Sequence, residues 1–160
     1  MAIQKKPLSV EEATLKMASL CARSERCVSE IDRKLFQLGL NSSQRRDIIG
    51  YLKEEKYIDE NRFAKSFVND KVRFSAWGPY KIRLALSQLK ISSSLISETL
   101  KTVDDALWEE ALMKNARSKA RQLNLSGEDS IKEREKIFHY PLSRGFTSSQ
   151  AKRAILNLKK

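Results

Sequence analysis

The chain has 160 residues, 31 of them Lys or Arg against 20 Asp or Glu, for a net charge of +11. That excess favours polyanionic partners, nucleic acid or an acidic protein surface, and its even spread (+3 over 1–58, +3 over 59–104, +5 over 105–160) excludes a globular head with a basic tail. Two cysteines, no apolar run near the ~18 residues of a membrane span and no apolar core in Met1–Leu8 exclude a secreted disulfide framework, and the expectation is a cytoplasmic protein without membrane contact.

Five Gly and three Pro are too few turn residues for an all-β chain of this length, and apolar residues recur at helical spacing instead. A short N-terminal tail, residues 1–9, precedes the first helix. Val10, Ala13, Met17, Leu20 and Cys21 line one face of that helix. Val28, Ile31, Leu35 and Leu38 mark a second, stopped by Gly39. Asn41, Ser42 and Ser43 offer N-caps for a third, with Ile48, Ile49 and Leu52 inward. Asp59 opens a fourth, carrying Phe63, Phe67 and Val72. Gly78-Pro79 starts a fifth, since Pro fits a first helical turn, and its stripe is Ile82, Ala85, Leu86 and Leu89. Ser92 or Ser93 caps a sixth with Ile96, Leu100 and Val103. A seventh runs from Asp105 through Trp108, Ala111, Leu112 and Leu123. Asn124–Ser130 is expected as a loop, followed by an eighth helix to Arg144 and a ninth capped by Thr147, with Ala151, Ile155 and Leu158. Phe63, Phe67, Ile82, Leu86, Leu89, Ile96 and Leu100 are the expected core of the middle region.

The helices repeat. Ile31-x6-Leu38-Gly39-Leu40-Asn41-Ser42-Ser43 aligns with Ile82-x6-Leu89-Lys90-Ile91-Ser92-Ser93-Ser94 and again with Ile137-x6-Arg144-Gly145-Phe146-Thr147-Ser148-Ser149. The shared unit is a short helix, a tight turn ending on an apolar residue, a Ser/Thr-rich cap and another helix, each preceded by a longer helix. The expected fold is therefore all-α: three helix-turn-helix-like, three-helix repeats over 10–58, 59–104 and 105–158, stacked in an elongated, curved array.

Little in the sequence resembles catalytic or metal chemistry. Cys21 and Cys27 are spaced too widely for a usual metal pair, and His139 is the single histidine. No glycine-rich phosphate loop occurs, and Glu54-Glu55 and Glu109-Glu110 read as solvated helix faces. The expectation is a binding protein: no enzyme, no cofactor, no metal. The segment Asp70–Arg83 stands out because Lys71, Arg73, Lys81 and Arg83 alternate with Phe74, Trp77 and Tyr80 around a turn. Two readings are open. The aromatics pack the joint between helices while the charges stay in water, or the cations face a partner; both hold if Trp77 packs and Lys71, Arg73, Lys81 and Arg83 point outward.

Tyr57-Ile58-Asp59-Glu60-Asn61-Arg62-Phe63-Ala64, then Asp70-Lys71-x-Arg73-Phe74-x-x-Trp77-Gly78-x-x-Lys81-Ile82, and later Ser143-Arg144-Gly145-Phe146 carry a resemblance, with Ala22-Arg23-Ser24-Glu25 fitting the end of a first helix. Together they are similar to the RecX-type regulatory proteins, bacterial modulators of the RecA recombinase, over nearly the whole chain. The resemblance implies three tandem three-helix repeats. It also implies binding of a monomer in the groove of a RecA filament on single-stranded DNA, and inhibition of ATP hydrolysis and strand exchange in DNA repair, recombination and the SOS response. Some relatives also bind single- or double-stranded DNA directly. Arg62, Lys71, Arg73, Lys81 and Arg83 are the expected contact residues, with Trp77 setting the turn that aims them. The alternative function is a stand-alone DNA- or RNA-binding protein, although no exposed recognition helix presents Asn, Gln and Arg to base edges. One residue departs from the family pattern. Pro141 stands where a Leu is general, which predicts a kinked or shortened eighth helix.

Overall fold

In the computed structural model of the chain, residues 6, 8–123 and 130–158 are described. Their regular structure is entirely helical: α1 (Val10–Arg23), α2 (Val28–Gln37), α3 (Ser42–Glu54), α4 (Glu60–Arg73), α5 (Pro79–Gln88), α6 (Ser93–Lys101), α7 (Asp105–Arg121), α8 (Ser130–Ser143) and α9 (Ser148–Leu158). The expected loop at Asn124–Ser130 lies outside the described residues up to position 129, and Ser130 already begins α8. No described helix is long and apolar enough to cross a membrane.

Short polar residues start these helices by satisfying backbone N–H groups that no preceding turn can reach. Ser9 with Glu12 and Asn41 with Gln44 form reciprocal capping boxes on α1 and α3. Thr147 and Gln150 do the same for α9, with bonds of 2.8 and 3.1 Å. Ser92 caps α6 one-sidedly, accepting from the Leu95 N–H at 3.3 Å, because Leu95 has nothing to return.

The three aligned turns share one backbone conformation. Gly39, Lys90 and Gly145 all have positive φ, at 88°, 61° and 98°. The residue after each, Leu40, Ile91 and Phe146, is buried. A left-handed residue lets the chain turn back on the preceding helix: Leu40 N–H reaches Leu35 O at 3.3 Å and Phe146 N–H reaches Pro141 O at 3.0 Å. The middle turn does this with a lysine, where glycine would be unstrained.

The chain divides into two compact units, Met1–Ser66 with Leu89–Ile91, and Phe67–Gln88 with Ser92–Lys160. In the first, Ala13, Met17 and Cys21 of α1 pack with Ile31 and Leu35 of α2, Leu40, Ile48, Ile49 and Leu52 of α3, and Ile58. Residues 89–91 join it through a 2.6 Å hydrogen bond from Ser29 Oγ to Leu89 O. Cys21 and Cys27 are both buried and free, and burial pushes both thiols above their ordinary pKa, as expected of packed rather than reactive cysteines.

In the second unit Ile82, Leu86, Ile96, Leu112 and Ile137 are buried to 1% exposure or less. Of the expected middle core, Phe63, Ile82, Leu86, Ile96 and Leu100 are buried, while Phe67 and Leu89 are half-buried. On α4 the buried stripe is Phe63, Ala64, Val68 and Val72, so Val68 rather than Phe67 takes the inner position. The shortening expected at Pro141 does not occur. Pro141 is fully buried, and α8 continues through it to Ser143. Pro141 lies in the last turn, so the helix forgoes a single bond to the carbonyl four residues back.

Candidate functional site

Within the second unit, the end of α4 and the end of α8 build one cluster. At the end of α4 the chain reverses through Ala76, a non-glycine residue with φ of 52°. That conformation lets Trp77 N–H bond back to Lys71 O at 3.0 Å, and it leaves Ala76 O to accept from the buried Asn115 side chain of α7 at 2.6 Å. Trp77 is thereby turned onto α4. Lys71 Nζ lies 4.6 Å from the centre of its ring, and Lys81 Nζ of α5 lies 4.5 Å from it. Lys71 Nζ is also 5.4 Å from the Phe67 ring. Ammonium groups over an aromatic ring are held by its quadrupole, so the half-buried indole is a platform for two lysines.

The second turn supplies the rest. Gly78 N–H donates to Arg144 O at 2.7 Å, and Tyr80 N–H donates to Gly145 O at 3.1 Å. This backbone clasp has no room for side chains. A Cβ on Gly78 would sit 2.5 Å from the Gly145 carbonyl, and one on Gly145 would sit 2.5 Å from the Lys81 nitrogen. The clasp brings Arg144 beside the two lysines. Its Nη2 donates to Ser75 O at 3.1 Å, its guanidinium lies 5.7 Å from the Tyr140 ring, and its Nε is buried without an acceptor. Lys119 of α7 lies over the same Tyr140 ring at 5.4 Å.

Four cations thus gather around Trp77 and Tyr140, and among the described residues no carboxylate lies within 4 Å of any of them. Lys81 registers the concentration of charge. Burial first, then the positive charges of Arg144 and Lys71, pull its pKa below that of an ordinary lysine.

Three of the six expected contact residues, Lys71, Trp77 and Lys81, are brought together here. The other three lie differently. Arg62 on α4 belongs to the first unit and is held at home. Its Nε is 2.8 Å from Glu25 Oε1, and one Nη donates to Lys56 O at 3.0 Å; the Glu25 bond raises its pKa. Arg73 is exposed, with Nε 2.6 Å from Asn69 Oδ1, and it lines a groove of about 300 Å³ together with Val72, Phe74, Leu107, Glu110, Ala111 and Lys114. Arg83 is exposed on α5, with a 3.1 Å bond to Ser97 Oγ of α6. Arg144, Tyr140 and Lys119 were not expected as site residues. Arg144 stands inside a motif already singled out as a turn, and its charge was the signal available. Among the described residues no group of His, Cys, Asp or Glu could hold a metal ion.

Trp77-Gly78 and Arg144-Gly145, the sequence pairs that carried much of the family resemblance, are therefore the two halves of one clasp. Comparison with known proteins agrees. Residues 59–100 match the family model for the RecX second three-helix domain. The regulatory protein RecX of Clostridium tetani is 30% identical over 143 residues, which are 89% of this chain and 63% of that protein. The regulatory protein RecX of Haemophilus influenzae is 27% identical over 84% of this chain and 86% of its own length. Residues 59–100 thus carry a RecX-type three-helix domain, and the chain is similar to RecX regulatory proteins along most of its length. It spans 63% of the length of the Clostridium botulinum and Clostridium tetani RecX proteins it matches, under two thirds. The crystal structure of RecX from Lactobacillus salivarius shares its fold, with a TM-score of 0.78 at 22% identity over 94% of this chain and 96% of that one. A second RecX structure gives 0.80 at 23% identity, over 91% and 72%. The fold class is thus that of RecX regulatory proteins, all-helical and containing the three-helix domain expected from the sequence.

Proposed function

We propose that this RecX-like chain regulates a RecA-type recombinase by binding its filament on DNA as a cytoplasmic monomer, and that the outcome is inhibition of ATP hydrolysis and strand exchange. In this reading the repeats at 10–58, 59–104 and 105–158 are successive contact modules, so modest local contacts act at high effective concentration along a repetitive partner. The supporting observation is the clasp between Gly78 and Arg144, which fixes two family motifs and the cations Lys71 and Lys81 in one place. The groove beside it suits a protein partner. Phe74 is 77% exposed there next to Arg73, and aromatic and Arg side chains are the usual anchors of protein interfaces. Arg83 extends the face along α5. Arg62 contributes by exchanging Glu25 for a partner carboxylate.

The test is RecA's DNA-dependent ATPase, titrated with the full chain and with Arg73→Glu plus Arg83→Glu. Both side chains are exposed, so the helices should survive, and circular dichroism checks that. Apparent potency should fall at least tenfold, equivalent to ~1.4 kcal/mol. The control is Lys132→Glu plus Lys152→Glu, also exposed. Arg153 is unsuitable as a control because it is paired with Glu109 at 2.6 Å. Equal loss from both pairs would mean that general charge, not this face, drives binding. Retention of RecA in a pull-down from nuclease-treated lysate separates this reading from a stand-alone nucleic-acid-binding protein.

A further inference from the structure

Four arginines elsewhere in the fold have carboxylate partners: Arg26 with Glu30, Arg45 with Asp32, Arg62 with Glu25 and Arg153 with Glu109. The cluster around Trp77 has none among the described residues, although it is the place where cations crowd each other most. Crowding of this kind opposes folding, and the aromatic rings offset it only in part. The Arg144 Nε donor is buried and unsatisfied as well, in a fold that otherwise pairs nearly all such groups. The clasp meanwhile holds the three elements in place through backbone atoms, whether or not anything is bound.

We propose that Lys71, Lys81 and Arg144 form a phosphate-binding site, with Lys119 at its margin. The cations come from α4, α5 and the end of α8, so they approach a ligand from separate directions. A phosphate group offers several strong acceptor oxygens pointing apart, whereas a carboxylate offers two in one plane. Arg144 supplies the directional guanidinium contact, and the two lysines, anchored on Trp77, supply point charges. Such a phosphate belongs either to the backbone of a nucleic-acid strand or to a free polyphosphate. The inference does not rest on the RecA reading, because phosphate binding can be measured with RecA absent.

The experiment is fluorescence anisotropy of a short fluorescein-labelled oligothymidylate with the full chain, repeated over a range of salt concentrations, with inorganic pyrophosphate as competitor. The variant is Lys71→Gln with Lys81→Gln, and circular dichroism checks its helices. For a strand backbone, affinity should fall at least tenfold. The slope of log affinity against log salt should become shallower by about 1.4, at ~0.7 for each single-strand phosphate that the protein no longer neutralises. For a free polyphosphate, oligothymidylate binds weakly to both proteins, and pyrophosphate binds the native chain but not the variant, as read by Trp emission. If the double variant loses its helices, Lys81→Gln alone carries the test with half the slope change, since its removal relieves repulsion. Equal affinities and equal slopes for native chain and variant, with either ligand, would overturn the site. Loss of phosphate binding with RecA inhibition intact would separate this site from the regulatory function.

Discussion

Gly145→Ala should be among the most damaging single changes in the second unit. Two effects add. At φ of +98° an L-residue is strained by ~1–2 kcal/mol. The new Cβ would also lie 2.5 Å from the Lys81 nitrogen and 2.6 Å from its Cβ. Neither atom is the free end of a side chain, so α5 must move away, and forced overpacking of this kind costs ~1–3 kcal/mol. The expected loss is therefore ~2–5 kcal/mol. Urea unfolding followed by Trp emission measures it cleanly, because Trp77 and Trp108 both belong to the second unit. At a denaturant slope of ~1.5 kcal/mol/M, a 3 kcal/mol loss lowers the midpoint by ~2 M. Gly50→Ala, in the first unit and followed by circular dichroism rather than Trp emission, is the control. A Cβ there meets nothing within 4 Å, and the site is inside α3, so ~0.5–1 kcal/mol should be gained. A loss below ~1 kcal/mol at Gly145, within the range of surface substitutions, would refute the close approach of the two turns and with it the fixed geometry of the cluster.

Lys90→Gly should raise stability by ~0.5–1 kcal/mol in chemical denaturation followed by circular dichroism, since Lys90 is an exposed residue at φ of 61°; a loss would mean that the middle turn is not left-handed. Lys81→Met keeps an apolar stem on Trp77 and removes a charge that burial, Arg144 and Lys71 all disfavour, so it should stabilise the chain at pH 7. Because the folded pKa of Lys81 lies below its unfolded value, the native chain gains stability as pH rises from the folded pKa towards 10.5, and loses it as pH falls back through the folded pKa. The gap between native and Lys81→Met should therefore narrow as pH climbs through that window, and a gap independent of pH would reject the crowding.

Much of this fold is legible in the sequence because its signals are local. Ser9, Asn41, Ser92 and Thr147 each satisfy N–H groups two or three residues on, and Gly39 and Gly145 announce their own backbone conformation. Lys90 shows where that legibility stops. Alignment with two glycines placed it in the same turn, but nothing in a lysine declares a left-handed φ. The site was half legible. Lys71, Trp77 and Lys81 lie within eleven residues of one another, so the alternation of charge and aromatic was visible. Arg144 is brought in by backbone hydrogen bonds, which carry no side-chain signature, across more than sixty residues of chain. Arg62, expected as a contact residue, is tied down by a side chain that is also distant in the sequence. Its acceptor, Glu25, sits thirty-seven residues earlier.

The attachment of Leu89–Ile91 to the first unit, through the Ser29 bond, bears on how the protein is made. A ribosome delivers the chain from its N-terminus, and the first unit is not complete when Ser66 emerges, because a later strip of chain still has to be threaded back. At ~5–20 residues per second, the stretch from Ser66 to Ile91 takes ~1–5 s to synthesise. During that interval the nascent first unit carries the leading half of α4, Glu60–Ser66, attached to chain that belongs to the other unit. Until the rest of α4 follows, those seven residues are too few for a helix to hold by itself in water. Birth of this fold is thus staggered: the first unit waits, for seconds, on residues that have not yet been translated.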